Sequence, residues 1–519
     1  MGVILVALLA PGVAGMWLVL AGRALGARAA YGLAVVASGA ALIATSLAVA
    51  TGAQWRRPWI AALGVDWAFA SDWVSRPLLV LTAVVTMLVV LHGFDHAPEG
   101  PPGLFFGLVL LVELGALACF FARDVVLFFV AFEIVLIPMW VLIGRFGDPH
   151  DPRGRADAAG RFVLYTALGS TTMLAGILAL VRFGGTASMD RLPLVGMTDK
   201  QQLVVAVLLS LGLAVKVPLF PLHTWLPAAH TIAPTGGSVL LAAVLLKMGT
   251  YGLIRLPGEM TPRGFAQLGP ILAVLGVAGI LWGGLACLVE RDLKRLIAFS
   301  SVAHMGFVAL ALGSGSPVGV RAAVLTNVAH GVVSALLFVV VGGLKERWGS
   351  TDLAVVRPAL REVWPRFGLA LMLGLAASLG LPGLANFPGE FLSLYAAWTS
   401  PGPGTYVDLG VTYLPPDTGV LLRGCVVAAA FGAVLAAAYC LRVAALVWVG
   451  DAVGGAAGDE VGGDGGGGEE REGRPRILRE MTASEQLVCG ILGLAVVVLG
   501  ILPGLLLPAA GAMLTGGGP

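Results

Sequence analysis

"AVKVPLFPLHTWLPAAH", Ala214 to His230, ends a long apolar run with a lysine, three prolines and two histidines. Proline lacks the backbone N–H and clashes with the carbonyl four residues back, so a helix entering this stretch breaks here. In a bilayer such a break is tolerated only where the backbone is buried in protein or lines a water-filled cavity. The fold therefore turns on whether the run before it spans a membrane.

Composition answers that. Of 519 residues 58% are hydrophobic and 12% charged, against about 45–50% and 25% in an average soluble domain. Apolar runs of about 18 residues or more recur from end to end, as transmembrane helices require. Strand-like alternation is absent, so a barrel is not expected. The first run, Val3 to Leu20, lacks a basic leader and a small-residue cleavage site and is kept as a span. The five cysteines stand singly in apolar segments, without metal-ligand spacing, so neither a disulfide nor an iron–sulfur cluster is expected. No dinucleotide or phosphate-loop motif occurs. A net charge of +2, spread over short loops, excludes a nucleic-acid patch.

The expected fold is an all-α polytopic membrane protein with about fourteen spans: 3–22, 30–50, 77–93, 104–121, 124–143, 162–182, 202–222, 236–256, 270–289, 295–313, 320–343, 367–396, 421–449 and 486–508. Loops after odd-numbered spans hold more arginine and lysine, including Arg145, Arg153, Arg155, Arg161, Arg291, Lys294, Lys345 and Arg361. Loops after even-numbered spans hold chiefly Arg56, Arg57, Arg76, Arg191, Lys200 and Arg263. The positive-inside rule then makes the first set cytoplasmic and turns both termini outward. The glycine-rich 453–476 is read as a flexible cytoplasmic loop. Spans 7 and 12, the latter holding "LGLPGLANFPGEFLSL" (379–394), are both broken by proline and glycine and lie five spans apart. Paired breaks of this kind mark inverted repeats with an ion path at the breaks; spans 4–8 and 9–13 are the repeats. The divisions are 1–100, 101–256, 270–449, 450–485 and 486–519.

A charge near a helix centre costs about 2.5–3.5 kcal/mol, so each one needs a reason. Glu133 lies within "FFVAFEIVLIPMWVLIG", Lys216 within the opening stretch, and Lys247 mid-span in "SVLLAAVLLKMGTYGLI". Glu390 follows the Pro388-Gly389 break in span 12, His304 and His330 lie inside spans 10 and 11, and Glu113 inside span 4. Two lysines and two glutamates at membrane depth suit proton movement. A lysine whose carboxylate partner approaches and withdraws takes up and releases a proton near neutral pH, and histidines pass it on. Arg442, near the end of span 13, is read as snorkelling.

Three blocks carry a resemblance: "AVKVPLFPLHTWLPAAHTIAPTGGSVLLAAVLLKMGTYGLIRL" (214–256), "RDLKRLIAFSSVAHMGFV" (291–308) and "GLPGLANFPGEF" (380–391). Together, in order and spacing, they resemble the antiporter-like membrane subunits of respiratory complex I, the proton-translocating NADH–quinone oxidoreductase, and most nearly its M-type branch. The resemblance implies fourteen helices with breaks in helices 7 and 12, no cofactor in this chain, and a multi-pass place in the cell's inner membrane. The implied partners are the L- and N-type and small membrane-arm subunits and the lipid bilayer, not nucleic acid. Implied roles are a Glu133–Lys216 pair, Lys247 as the central lysine, His304 and His330 as relays, and Glu390 as the terminal residue of the outward half-channel. Quinone reduction in partner subunits would drive them. L-type chains carry a further lateral helix with no room here, and N-type and sodium–proton antiporter D-type chains carry lysine where this chain has Glu390. The rival readings are a subunit of a multisubunit sodium/proton antiporter and a non-pumping scaffold.

Overall fold

In a computed structural model the described residues are 2–22, 24–61, 64–194, 196–400, 418–450 and 480–507. The glycine-rich 453–476, Met1 and Pro519 lie outside them. The helices are α1 (Gly2–Ala21), α2 (Ala27–Thr51), α3 (Ser75–His96), α4 (Pro102–Phe121), α5 (Val125–Ile134), α6 (Leu136–Phe146), α7 (Pro152–Gly184), α8 (Asp199–Lys216), α9 (Trp225–Ile232) and α10 (Thr235–Leu240). They continue with α11 (Leu246–Leu253), α12 (Pro262–Val289), α13 (Leu293–Gly313), α14 (Pro317–Trp348), α15 (Leu360–Val363), α16 (Pro365–Ser378), α17 (Asn386–Trp398), α18 (Thr418–Val443) and α19 (Ala483–Ile501). π-Helical turns at Leu241–Leu245 and Ile254–Gly258 join α10, α11 and the end of that span, and another, Ala444–Val449, extends α18.

Among the described residues twelve helical stretches are long and apolar enough to cross a membrane. Their ends follow local chemistry. Thr198 and Gln201 form a capping box at α8, as Thr482 and Glu485 do at α19. Asp151 and Ser316 cap α7 and α14 just before a proline at the first helical position. Between α2 and α3 lies an unforeseen antiparallel hairpin, β1 (Gln54–Ile60) and β2 (Val65–Ala70), with Gln54 opposite Ala70 and Arg57 opposite Trp67. Cross-strand ring stacking supports it: Trp59 on Trp67 at 4.3 Å and Trp55 on Phe69 at 5.8 Å.

The two expected breaks are present, one of them displaced. The first runs from the end of α8 at Lys216 to the start of α9, and the Trp225 indole N–H donates to the Val215 carbonyl at 3.0 Å, satisfying a group that the break frees. The second lies between Ser378 and Asn386. Pro388 and Gly389, read from sequence as the break itself, are instead within the first turn of α17, where a missing N–H leaves nothing unpaired. Span 5, expected to be continuous, is interrupted at Val135. Pro138 explains it, since its ring opposes the Ile134 carbonyl.

Burial decides where polar groups can act. The apolar windows of 235–258 and of α14 are buried along their whole length and that of α13 over 94%, against 33% for α1 and α19. These three stretches form the interior, and the others wrap them. Close approach depends on glycine. A Cβ at Gly306 of α13 would lie 2.4 Å from the Gly276 carbonyl of α12, and one at Gly212 of α8 would lie 2.5 Å from the Gly169 carbonyl of α7. Small residues at such crossings let membrane helices touch backbone to backbone.

Gly306→Ala is expected to destabilise the protein by about 1–3 kcal/mol through overpacking. Gly160→Ala, where nothing lies within 4 Å of the new Cβ, is expected to leave stability unchanged or slightly raised. Melting of the detergent-solubilised protein measures both, and equal melting of the two variants would contradict this account.

Candidate functional site

The π-turn at 241–245 leads into α11, whose second residue is Lys247, fully buried. Its Nζ donates to the Ala242 carbonyl inside the π-turn at 2.6 Å and stands 2.6 Å from Nδ1 of His330 on α14. One turn on, the Thr250 hydroxyl donates to Oδ1 of Asn327 at 2.8 Å. Residues 247 and 250 thus face 330 and 327, two polar rungs between antiparallel helices. Nε2 of His330 has no hydrogen-bond partner, and its ring meets that of His304 on α13 edge to face, centroids 5.5 Å apart.

His304 joins the second break. Its Nδ1 is 2.9 Å from Oε1 of Glu390 and its Nε2 3.1 Å from the Ser378 hydroxyl, the last residue of α16. An ionised carboxylate only accepts, so with Glu390 charged Nδ1 bears the proton and Nε2 of the neutral ring accepts from Ser378. Gly380, at φ +77°, completes the site, because a Cβ there would lie 2.6 Å from the other carboxylate oxygen of Glu390. Glycine is needed both for the left-handed backbone and for room. Lys247, His330, His304 and Glu390 therefore form one continuous series through the buried interior.

Glu133 and Lys216 stand apart from that series as a pair within electrostatic reach of each other. No ion pair joins them. Lys216 Nζ has no hydrogen-bond partner and sits over the rings of Phe132 and Phe162 at 5.2 and 5.4 Å; Oε1 of Glu133 is equally unpaired. Glu133 is the last residue but one of α5, two residues before the Val135 interruption, and Lys216 ends α8 immediately before the long break. Both members of the pair sit beside interrupted helix backbone.

Other buried charges are satisfied in place. Arg255 is paired with Asp72 and, at 2.6 Å, with Glu259, and its Nε donates to Tyr251. Arg442 donates to the carbonyls of Cys287, Leu288 and Glu290, capping the end of α12. Glu113 is fully buried and accepts from Ser38 at 3.4 Å. Among the described residues no cluster of three or more metal-ligating side chains occurs.

Residues 122–410, more than half of the chain, match the family described as NADH:quinone oxidoreductase/Mrp antiporter, TM. The chain belongs to this family. A NAD(P)H-quinone oxidoreductase chain 4 from Nostoc sp. is 39% identical over 345 residues, which take in 66% of this chain and 63% of that protein, so the match spans less than two thirds of the relative's length. A chain of the respiratory complex I from Thermus thermophilus with bound NADH superposes with a TM-score of 0.80 at 28% identity, covering 97% of this chain and 96% of its own. The Mrp complex from Dietzia sp. shares the fold, with a TM-score of 0.81 at 23% identity over 98% of this chain and 51% of that one.

Two buried groups of this family member escaped the reading of the sequence. His230 on α9 is fully buried, stacks on Phe338 at 4.5 Å and has neither ring nitrogen paired. Lys294 is 2% exposed and donates to the Ala233 carbonyl at 2.6 Å, yet from its place at the start of a span it reads as a loop cation. It lines a cavity of about 430 Å³ that also touches Asp148, Lys345 and Glu346. The signal for His230 was its place in the opening stretch, where histidine follows lysine after a break.

Gly380→Ala is expected to drive the Glu390 carboxylate off His304, whereas Gly383→Ala, with the same backbone strain at φ +89° but open space around the new Cβ, is expected to keep the contact. Structures of the two variants would show it; a retained 2.9 Å contact in Gly380→Ala would be the contrary result.

Proposed function

We propose that this chain is a proton-translocating membrane-arm subunit, of the M type, in an NADH–quinone oxidoreductase of the complex I kind. Its partners would be the L- and N-type and small membrane-arm subunits, and quinone reduction in those partners would supply the energy, with no redox cofactor in this chain. The observation that carries the reading is the series Lys247, His330, His304 and Glu390 in the buried interior, ending at a helix break. Such a series of titratable groups suits proton passage and has no evident value as packing.

Adding the two broken elements, α8 with α9 and α16 with α17, to the twelve long apolar stretches gives fourteen crossings. Spans 4–8 and 9–13 then form inverted repeats in which the breaks correspond. The ranges 101–256 and 270–449 hold the repeats, 1–100 the first three spans, 450–485 the glycine-rich loop and 486–519 the last span. The loops holding Arg153 and Arg361 and the 453–476 segment would face the cytoplasm and both termini the outside of the inner membrane. Failure of a cysteine probe at 460 to react in intact cells would support that orientation, and reaction would refute it.

The mechanism follows from what is paired and what is not. Approach of Glu133 to Lys216 supplies each with the partner it lacks, and withdrawal leaves both unpaired in a low dielectric, so the distance between them sets where a proton rests. Lys247 can pass a proton to Nδ1 of His330 directly. Transfer between the edge-to-face rings of His330 and His304 needs a ring rotation or a bridging water. Nδ1 of His304 then hands it to Glu390, beside the break.

Replacement of Glu390 by glutamine, which cannot titrate, or of Lys216 by alanine is expected to reduce pumping through this subunit severely while the complex still assembles. Glu390→Asp should retain part of it. The measurement is proton uptake in proteoliposomes given NADH and a quinone, with and without sodium. Unchanged proton-to-electron ratios in both Glu390→Gln and Lys216→Ala would remove these residues from the path; pumping that requires sodium, or co-purification with antiporter subunits, would favour the sodium/proton antiporter reading.

A further inference from the structure

A second feature lies on the outside of the bundle, away from the buried series. At the end where α2 finishes and α3 begins, a cleft of about 520 Å³ opens between α3, α14 and the end of α19. Its walls are apolar, with Pro77, Val80 and Val84 on one face of α3 opposite Val328 and Val332 of α14. Arg76 and Trp73 stand at its mouth.

We propose that this cleft binds one anionic phospholipid, an acyl chain lying between α3 and α14 and the phosphate held by Arg76. Three observations support it. Arg76 is exposed and makes no ion pair among the described residues, and Asp72, the acid four residues before it, is held by Arg123 and Arg255. Arginine matches a phosphate with two parallel hydrogen bonds, and an indole beside it suits the headgroup layer. From Arg76 to Val84 the helix rises ~12 Å, most of one leaflet of a ~30 Å hydrocarbon core, so a chain anchored at Arg76 reaches the inner end of the cleft.

Leu81, which also lines the cleft, reaches the site directly. Leu81 of α3 lies against Gly331 of α14, where a Cβ would sit 2.7 Å from the leucine Cδ2 and 3.2 Å from the Ala243 carbonyl in the π-turn. An occupant between Val84 and Val332 therefore presses on the turn of α14 that presents His330.

The test uses the whole complex, purified in mild detergent and stripped of loose lipid. It is photolabelled with phosphatidylglycerol or phosphatidylcholine bearing the same diazirine acyl chain, and labelled peptides are mapped. Phosphatidylglycerol is expected to label α3 and α14 several-fold more than phosphatidylcholine. Arg76→Ala should lose that preference, Arg76→Lys should keep most of it, and Val84→Trp, which fills the cleft, should lose the label with either lipid. Competition by inorganic phosphate alone, leaving no dependence on the acyl chain, would identify a phosphate site without a lipid and overturn the proposal. So would equal labelling by the two lipids, or a photoreactive residue placed at 84 crosslinking to a protein chain in place of lipid.

Discussion

Every backbone N–H and C=O in a bilayer must find a partner within the protein, and this single requirement arranges the molecule. A helix that stays intact satisfies itself and can face lipid; a helix that breaks must be surrounded. The continuous α1, α2 and α19 sit outside, while both long breaks lie against the interior helices α13 and α14. Freed backbone groups are met locally, as when Trp225 closes on the Val215 carbonyl and Lys247 on that of Ala242. The buried polar side chains and the irregular backbone are in one place because neither is tolerated elsewhere.

Within that interior the ionisable groups differ in how fully they are paired. Arg255 and Arg442 have their hydrogen bonds made, the one by carboxylates and a phenol, the other by a helix end. Nζ of Lys216, Oε1 of Glu133 and both ring nitrogens of His230 do not. A buried polar group without a partner is expensive.

Most of the helices were legible in the sequence, because a span of about 20 apolar residues is a strong signal. The breaks were legible as proline and glycine, but their exact places were not. Pro388 is harmless in the first turn of α17, while the lone Pro138, inside an otherwise smooth apolar run, interrupts span 5. The hairpin between α2 and α3 was hidden because two strands in a short inter-span segment add little to a hydropathy pattern. The six expected site residues stood out in the sequence as ionisable groups at membrane depth. That four of them touch in series is a property of how α11, α13, α14 and α17 meet, which no single segment encodes. Lys294 was misread since a cation at the start of a span looks the same whether it faces water or is enclosed.

The π-turn before Lys247 has a mechanical meaning. It fits one residue more into its loop of hydrogen bonds than an α-turn does, and each helical residue advances about 100° around the axis. Were 241–245 to rewind as plain α-helix, everything on one side of it would turn relative to the other by roughly that angle. Rewinding would thus swing Lys247 about a quarter-turn off His330 with an axial shift of only about 1.5 Å.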